Sequence, residues 1–110
     1  MRSKINVELV KDRHEFKKVE LHGHIFNGKI RNVTNVYYMQ MAVKQSVDKM
    51  MKKYRIYDYT ELELNLYVTG LTVALIEVIN FCSLYGIKLI LHHYCKEKDD
   101  YYKQDVYLKY

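Results

Sequence analysis

The chain has 110 residues, about half of them apolar, and a formal net charge of +5. A chain of this length forms one domain with one core, and its apolar content excludes a disordered protein. The start of the sequence has no apolar signal-peptide core, and Leu71–Tyr85, the longest apolar stretch, is too short to span a bilayer. With only Cys82 and Cys95 as thiols, the sequence predicts an intracellular domain in a reducing compartment, without membrane contact.

The positive charge is concentrated in the first half of the chain. Residues 1–55 contain 13 Lys and Arg against 5 Asp and Glu, whereas residues 56–110 contain 5 against 8. A basic half on a small intracellular domain points to a polyanion, of which nucleic acid is the commonest. Charge leaves open the alternative of a solvated basic surface that serves solubility.

The chain begins with a charged segment, residues 1–16. Ile5, Val7 and Leu9 alternate weakly with polar residues, which leaves open an ordered arm or an extra strand. The alternation over residues 17–25 is more regular and predicts the first core strand, with Gly23 on its inner face.

An amphipathic helix is predicted to follow over residues 33–53. Asn27 and Gly28 mark a turn before it, and Asn32 is its predicted N-cap. The apolar residues recur at spacings of three and four, so one face of the helix should be buried. They are Val36, Met39, Val43, Val47, Met50 and Tyr54.

A second core strand is predicted over residues 61–68. Leu62 and Leu64 alternate with more polar residues, as in a half-buried strand that has one face on the core and one in water. Glu61 and Glu63 are therefore expected in the open, where nothing perturbs the pKa of a carboxyl group.

A second helix is predicted over Leu71–Tyr85. It is apolar at most positions, so we expect it to be buried over most of its circumference. Gly86 follows as a stop signal, because glycine adopts the positive φ of a helix C-terminus without steric cost.

Two further strands are predicted at residues 88–95 and 105–110, joined by a polar loop at residues 96–104. The resulting order is β-α-β-α-β-β, and right-handed crossovers place both helices on the same side of the sheet. The expected fold is an α+β two-layer sandwich with a mixed four-stranded sheet and two helices on one face. Residues 17–110 would form this domain.

The sequence contains no recognisable catalytic or metal-binding pattern. His22 and His24 point the same way on a strand, but a zinc site needs a third ligand and no C-x-x-C or H-x₃-H partner is present. G-x-S-x-G, P-loop and G-x-G-x-x-G motifs are also missing. We therefore expect no enzyme activity, metal, cofactor or small-molecule substrate.

Two segments are candidates for binding nucleic acid. In the first, Gly28 to Asn32, a glycine loop before a helix offers backbone N–H groups, and Lys29 and Arg31 add cations where a phosphate can sit. An ordinary basic loop is the alternative. In the second, lysines interleave with tyrosines, which suits phosphate contacts together with base stacking. Its residues are Lys96, Lys98, Tyr101, Tyr102 and Lys103.

Over about residues 17–110 the chain resembles the Alba family of nucleic-acid-binding proteins, as a eukaryotic or protozoan member. The stretch IRNVTNVYY is similar to the family's (V/I)-(R/K)-N-Y opening of the first helix. TGLTVALIEVI lies where the family has its G-(R/K)-A-I segment. The family fold is the β-α-β-α-β-β sandwich, usually a dimer, whose loop before the first helix and closing hairpin contact DNA or RNA.

The resemblance implies roles for particular residues. Lys29, Arg31 and Asn32 would be loop contacts, and the lysines at 96, 98 and 103 would be hairpin contacts. The chain departs from the family after Gly70, where Leu71 replaces the common Arg. This departure removes one basic cluster and favours RNA, weaker affinity or a heteromeric role.

Three functions fit this sequence. The first is a sequence-tolerant DNA- or RNA-binding dimer of the nucleus and cytoplasm, acting in chromatin organisation or in RNA storage and translational control. The second is an Alba-like subunit of a ribonuclease P or MRP-type ribonucleoprotein, paired with another Alba-like chain. The third is a scaffold without a nucleic-acid role.

Overall fold

The computed structural model describes residues 2–11, 19–28, 30, 34–69 and 71–108. Within these residues the chain is an α+β fold of five strands and two α-helices. In chain order they are β1 (Ser3–Val10), β2 (Gly23–Phe26), α1 (Val36–Lys53), β3 (Leu62–Tyr67), α2 (Thr72–Tyr85), β4 (Lys88–Cys95) and β5 (Asp100–Val106). A 3₁₀ turn at Tyr59–Glu61 leads into β3.

The strands form one mixed sheet in the spatial order β2-β1-β3-β4-β5. The strands β2, β1, β3 and β4 run parallel to one another, and β5 is antiparallel to β4. The expected order β-α-β-α-β-β is present from β2 onward. The expected count of four strands is wrong, because the described part of the chain forms five.

The additional strand is β1, which lies between β2 and β3. It pairs with β3 from Ser3 opposite Leu62 to Glu8 opposite Tyr67. Residues 3–10 therefore form a strand rather than an arm. Their alternation is weak because the consecutive residues Leu9 and Val10 are both buried in the hydrophobic core.

The hydrophobic core fills the space between the sheet and the two helices. β1 and β3 contribute Ile5, Val7, Leu9, Leu62, Leu64 and Leu66, and α1 contributes Met39, Val43, Val47, Met50 and Met51. Gly23 lies on this inner face as predicted, and a Cβ there would lie 2.7 Å from Met50 Sδ. Helix and strand therefore pack closely at this point.

The helix α1 begins at Val36, later than the predicted residue 33. Its N-cap is Asn35 rather than Asn32, and the Asn35 side chain accepts a hydrogen bond of 3.0 Å from Tyr38 N–H. Both asparagines fit the sequence pattern of an N-cap. Asn32 itself lies outside the described residues.

The helix α2 ends as predicted, at Gly86 with φ 73°. The expectation that most of its circumference is buried is wrong, because Val73, Ile76 and Leu84 are 44%, 49% and 72% exposed. Only one side of a helix contacts the sheet in a two-layer fold, so apolar residues on the other side remain exposed.

Both helices lie on the same face of the sheet and contact each other. Gln40 Nε2 in α1 donates hydrogen bonds of 2.8 Å to the backbone oxygen and to Oε2 of Glu77 in α2. The placement expected from right-handed crossovers is consistent with this contact. No helix in the described part of the chain has the length and apolar character needed to cross a membrane.

The last two strands form a tighter hairpin than expected. The turn comprises Lys96–Asp99, and β5 runs over Asp100–Val106 instead of starting at Asp105. Asp99 has φ 46°, which permits the sharp reversal. An edge strand carries many polar side chains, and for that reason the composition of this segment is typical of a loop.

Candidate nucleic-acid interface

The closing hairpin places three predicted lysines at the surface. Lys96 and Lys98 lie in the turn, Lys103 lies in β5, and all three are exposed. Asp99 accepts a hydrogen bond from Tyr94 Oη, and Asp100 accepts one from Tyr101 N–H. These two carboxylates hold the turn, but they also reduce its positive charge.

The two predicted tyrosines of the hairpin lie on opposite faces of the sheet. Tyr101 contacts Tyr67 edge to face, with ring centroids 5.1 Å apart. Tyr102 stacks on His93, on the same side as the helices. Lys103 pairs with His92 in the register and lies on the Tyr101 side. The structure therefore divides the predicted hairpin site into two surfaces.

The predicted loop site is mostly outside the described residues, which exclude Lys29, Arg31 and Asn32. Gly28 has φ 57°, as the Asn-Gly turn predicts. Tyr38 N–H, in the first turn of α1, donates a hydrogen bond to Asn35 Oδ1. The contacts of the three predicted loop residues remain predictions.

A larger group of functional side chains lies on the sheet face opposite the helices, which we call the polar sheet face. Alternate residues of β1, β3, β4 and β5 form it, because successive strand residues point to opposite faces. Its members are Lys4, Asn6, Glu8, Glu63, Asn65, Tyr67, Lys88, Ile90, His92, Tyr94, Tyr101, Lys103 and Asp105.

The centre of the polar sheet face is a buried hydrogen-bond network. Asn65 Nδ2 donates to Glu63 Oε2 over 3.0 Å, and His92 Nε2 lies 2.8 Å from Asn65 Oδ1. These three residues are only 6–7% exposed. The expectation that Glu63 lies in the open is wrong. Neighbouring side chains on three strands surround it, and a pattern within one strand cannot predict that.

The pKa of Glu63 is lowered by its surroundings. Burial alone would raise this pKa, but the hydrogen bond from Asn65 and the charges of Lys4 and Lys88 more than offset it. Lys88 Nζ lies 3.5 Å from Glu63 Oε1. Glu63 is therefore an anion at neutral pH, held between an amide and two ammonium groups.

The pKa of His92 is also lowered, first by burial and then by the positive charge of Lys103, against a smaller opposing effect of Glu63. The imidazole is therefore neutral at pH 7. Tyr67 covers one side of it, with ring centroids 4.4 Å apart and planes inclined by 8°. His92 is hydrogen bonded to an amide rather than to a hydroxyl or thiol nucleophile.

Aromatic contacts extend from this network toward the hairpin. Tyr67 contacts Tyr101, and Tyr101 contacts Tyr94 with ring centroids 5.5 Å apart. Tyr94 is 41% exposed, whereas Tyr67 is buried. The buried, stacked rings of Tyr67 and His92 can therefore hold the outer rings of Tyr101 and Tyr94 in fixed positions.

The network could not be predicted from the sequence alone. The alternation in β3 correctly places Glu63, Asn65 and Tyr67 on one face, and this alternation is the pattern in the sequence that indicates part of the network. The register that brings His92 beside Asn65 depends on the pairing of β3 with β4, which are joined by a whole helix.

The described residues contain no group of three or more His, Cys, Asp or Glu that could hold a metal ion. His22 instead accepts a hydrogen bond of 2.9 Å from Asn6 N–H at Nδ1. Cys82 is a buried free thiol, and burial raises its pKa to about 12. Cys95 is a partly buried free thiol.

Comparisons of the chain with protein-family models, curated proteins and solved structures find no significant match.

Proposed function

We propose that this chain is a sequence-tolerant nucleic-acid-binding protein that contacts phosphates with lysines. The observation that carries the proposal is the exposed position of Lys96, Lys98 and Lys103 on one hairpin. Lysine ammonium groups at the surface are the usual partners of phosphate oxygens. The excess of positive charge in residues 1–55 supports the same interaction.

The resemblance to the Alba family supports a related role. The order β2-α1-β3-α2-β4-β5 follows the expected family order, although β1 separates β2 from β3 in the sheet. On this proposal the chain acts as a dimer on DNA or RNA, in chromatin organisation or in RNA storage and translational control. It works in the nucleus and cytoplasm and has no catalytic role.

The salt dependence of binding tests the electrostatic mechanism. An interface with six or more phosphate contacts should lose roughly 10³-fold in affinity between about 50 and 200 mM salt. Fluorescence anisotropy with labelled duplex DNA, single strands and structured RNA measures this change. A loss smaller than about tenfold contradicts binding through so many phosphates.

Charge-reversal variants locate the contact surface. Replacing Lys96 and Lys98 with Glu should weaken binding to all sequences alike, since phosphate contacts carry no base information. The double replacement of Lys29 and Arg31 with Glu tests the predicted loop. Replacing Lys52 and Lys53 in the last turn of α1 is the matched control for net charge. Equal loss in all three variants would exclude a defined binding surface.

A second candidate function is a subunit of a ribonuclease P or MRP-type ribonucleoprotein, paired with a different chain. The exposed apolar residues of α2, Val73, Ile76 and Leu84, favour it. Exposed apolar patches are typical of surfaces that bind another protein. On this proposal the isolated chain binds RNA weakly and needs its partner.

Size-exclusion chromatography with light scattering separates the two candidates. A soluble homodimer that binds RNA supports the first and argues against an obligate heteromer. The Ile76→Glu variant shows whether α2 is the contact surface, because a buried charge at an interface should dissociate the dimer. Gln45→Glu, at an exposed position on α1, is its control.

A further inference from the structure

We propose that the polar sheet face binds a single-stranded segment of RNA. Its bases stack on Tyr94 and Tyr101, and its phosphates contact Lys4, Lys88 and Lys103. The proposal rests on the proposed nucleic-acid-binding function, for which it names the substrate class and a second contact surface beside the hairpin turn.

The charges on the polar sheet face are arranged in two layers. Lys4, Lys88 and Lys103 come from three different strands and are exposed, whereas the carboxylates of Glu8 and Glu63 are buried. The outer layer that a ligand meets therefore carries these three lysines against two exposed carboxylates, Asp105 in β5 and Asp99, which accepts a hydrogen bond from Tyr94 Oη. A polyanion complements such a layer. Single-stranded nucleic acid is a polyanion whose bases also stack on aromatic side chains.

Two aromatic rings lie at the hairpin end of this face, where Tyr94 pairs with Tyr101 next to the His92–Lys103 pair. Lys4 and Lys88 lie toward the opposite end, on either side of Glu63. The Tyr94 and Tyr101 rings meet at 61°, so their faces point in different directions. Each partly exposed ring can therefore contact a separate base. Stacking of this kind tolerates any sequence, because every base has a π-face.

The buried network beneath the rings keeps them in place. His92 is held by Asn65 and stacks on Tyr67, and Tyr67 contacts the ring of Tyr101. A ring whose position is fixed before binding loses less conformational entropy when a base stacks on it. This relationship gives the buried polar residues a role in binding without any contact to the ligand.

Single strands fit this face better than duplexes. A duplex presents phosphates and hides the faces of its bases, so the tyrosine rings would have nothing to stack on. The phenol groups of Tyr94 and Tyr101 and the carboxylate of Asp105 are polar groups that a ribose 2′-hydroxyl can meet as donor or acceptor. RNA has this hydroxyl and DNA lacks it.

Neighbouring residues of β5 provide a matched test. Tyr101 lies on the polar sheet face and Tyr102 lies on the opposite face. The full chain would be titrated against uridine-rich single-stranded RNA of about ten nucleotides, its DNA counterpart and an RNA duplex of equal length. Tyr101→Ala should weaken binding to the RNA single strand by roughly tenfold or more. Tyr102→Ala should change it less than about twofold, well below the loss of one stacked base.

Two further variants exclude a general folding defect. Tyr101→Phe keeps the ring but removes the phenol group, so it should bind the RNA single strand better than Tyr101→Ala while its preference for RNA over the DNA counterpart decreases. Circular dichroism confirms that each variant is folded. Lys103→Gln and Lys98→Gln each remove one charge, but only Lys103→Gln should reduce the preference for single strands over duplexes.

The possible outcomes separate this inference from the proposed function. Equal effects of Tyr101→Ala and Tyr102→Ala, with wild-type binding intact, overturn the polar sheet face but leave the proposed function in place. Equal affinity for the DNA single strand overturns the assignment to RNA. Failure of the wild type to bind any nucleic acid at low salt overturns both.

Discussion

His92 Nε2 and Asn65 Oδ1 lie 2.8 Å apart on two neighbouring parallel strands. The amide nitrogen of Asn65 faces the carboxylate of Glu63, which accepts hydrogen bonds, so the amide oxygen faces the imidazole. His92 must therefore donate, and its proton resides on Nε2. One amide thus fixes both the tautomer of a neutral histidine and the orientation of a buried anion.

Replacing Asn65 with Leu should destabilise the protein by about 1–3 kcal/mol, because the buried groups of Glu63 and His92 each lose a partner. Asn65→Asp puts a second carboxylate beside Glu63, so its penalty should shrink as the pH falls. Urea denaturation of both variants at neutral and acidic pH measures these effects. Asn80→Ala, at an exposed position in α2, is the control. Equal penalties at both pH values for Asn65→Asp would contradict the proposed charge repulsion.

Protonation of His92 should destabilise the folded protein. Its pKa is lowered from the ordinary value of 6.5, so the unfolded chain binds more protons than the folded one in this range. Stability should therefore fall as the pH drops below about 6.5 and level off below the folded pKa. In His92→Gln this decline should be reduced, whereas His93→Gln on the opposite face should retain it. Thermal unfolding between pH 8 and pH 5 would show the difference; identical profiles for the two variants would refute the assignment to His92.

The ionised carboxylate of Glu63 should stabilise the fold, and this stabilisation should be lost in acid. Its pKa is lowered from 4.5, so its stabilising effect is complete above that value and is lost as the pH falls through the pKa of the folded state. Glu63→Gln should have a lower melting temperature than the wild type at neutral pH, and the gap should close in acid. Glu61→Gln, at an exposed carboxylate, is the matched control. A gap independent of pH would show that the charge of Glu63 is irrelevant.

Gly23 and Met50 should be energetically coupled. A Cβ at residue 23 would lie 2.7 Å from Met50 Sδ. Gly23→Ala should therefore force the methionine to move, which should lower the free energy of unfolding by about 1–3 kcal/mol. In the Met50→Ala background this clash is absent, and the cost of Gly23→Ala should be smaller. Chemical denaturation of the four proteins in a double-mutant cycle measures the coupling. Additive effects would mean that the helix does not press on the strand here.

Much of the fold could be predicted because the hydrophobic patterns inside single elements are strong. The spacing of Val43, Val47 and Met50 predicts the buried face of α1, and Gly86 predicts the end of α2. The bounds of the hairpin strand β5 were harder to predict, because an edge strand of mixed polar and aromatic residues has no clear apolar alternation. The position of β1 could not be predicted, since its neighbours β2 and β3 are selected by tertiary packing.

The candidate site was only partly predictable, for a related reason. Lys103 and Tyr101 can be identified from composition, because lysine and tyrosine together suit nucleic acid. The burial of Glu63 cannot, because it depends on side chains from neighbouring strands. The alternation that marks one face of β3 as polar says nothing about whether water reaches that face.

The position of β1 also bears on how the chain folds. Ser3 pairs with Leu62, so β1 cannot pair with β3 until β2 and α1, which lie between them in the chain, have been translated. Contacts between such distant residues slow folding, because the conformational entropy of a long loop is lost before the strand pairing can stabilise the structure. During this delay the edge of β1 that later pairs with β3 is open to pairing with other chains. We therefore expect the yield of refolding to depend on protein concentration, because aggregation competes with folding as long as β1 has not paired with β3.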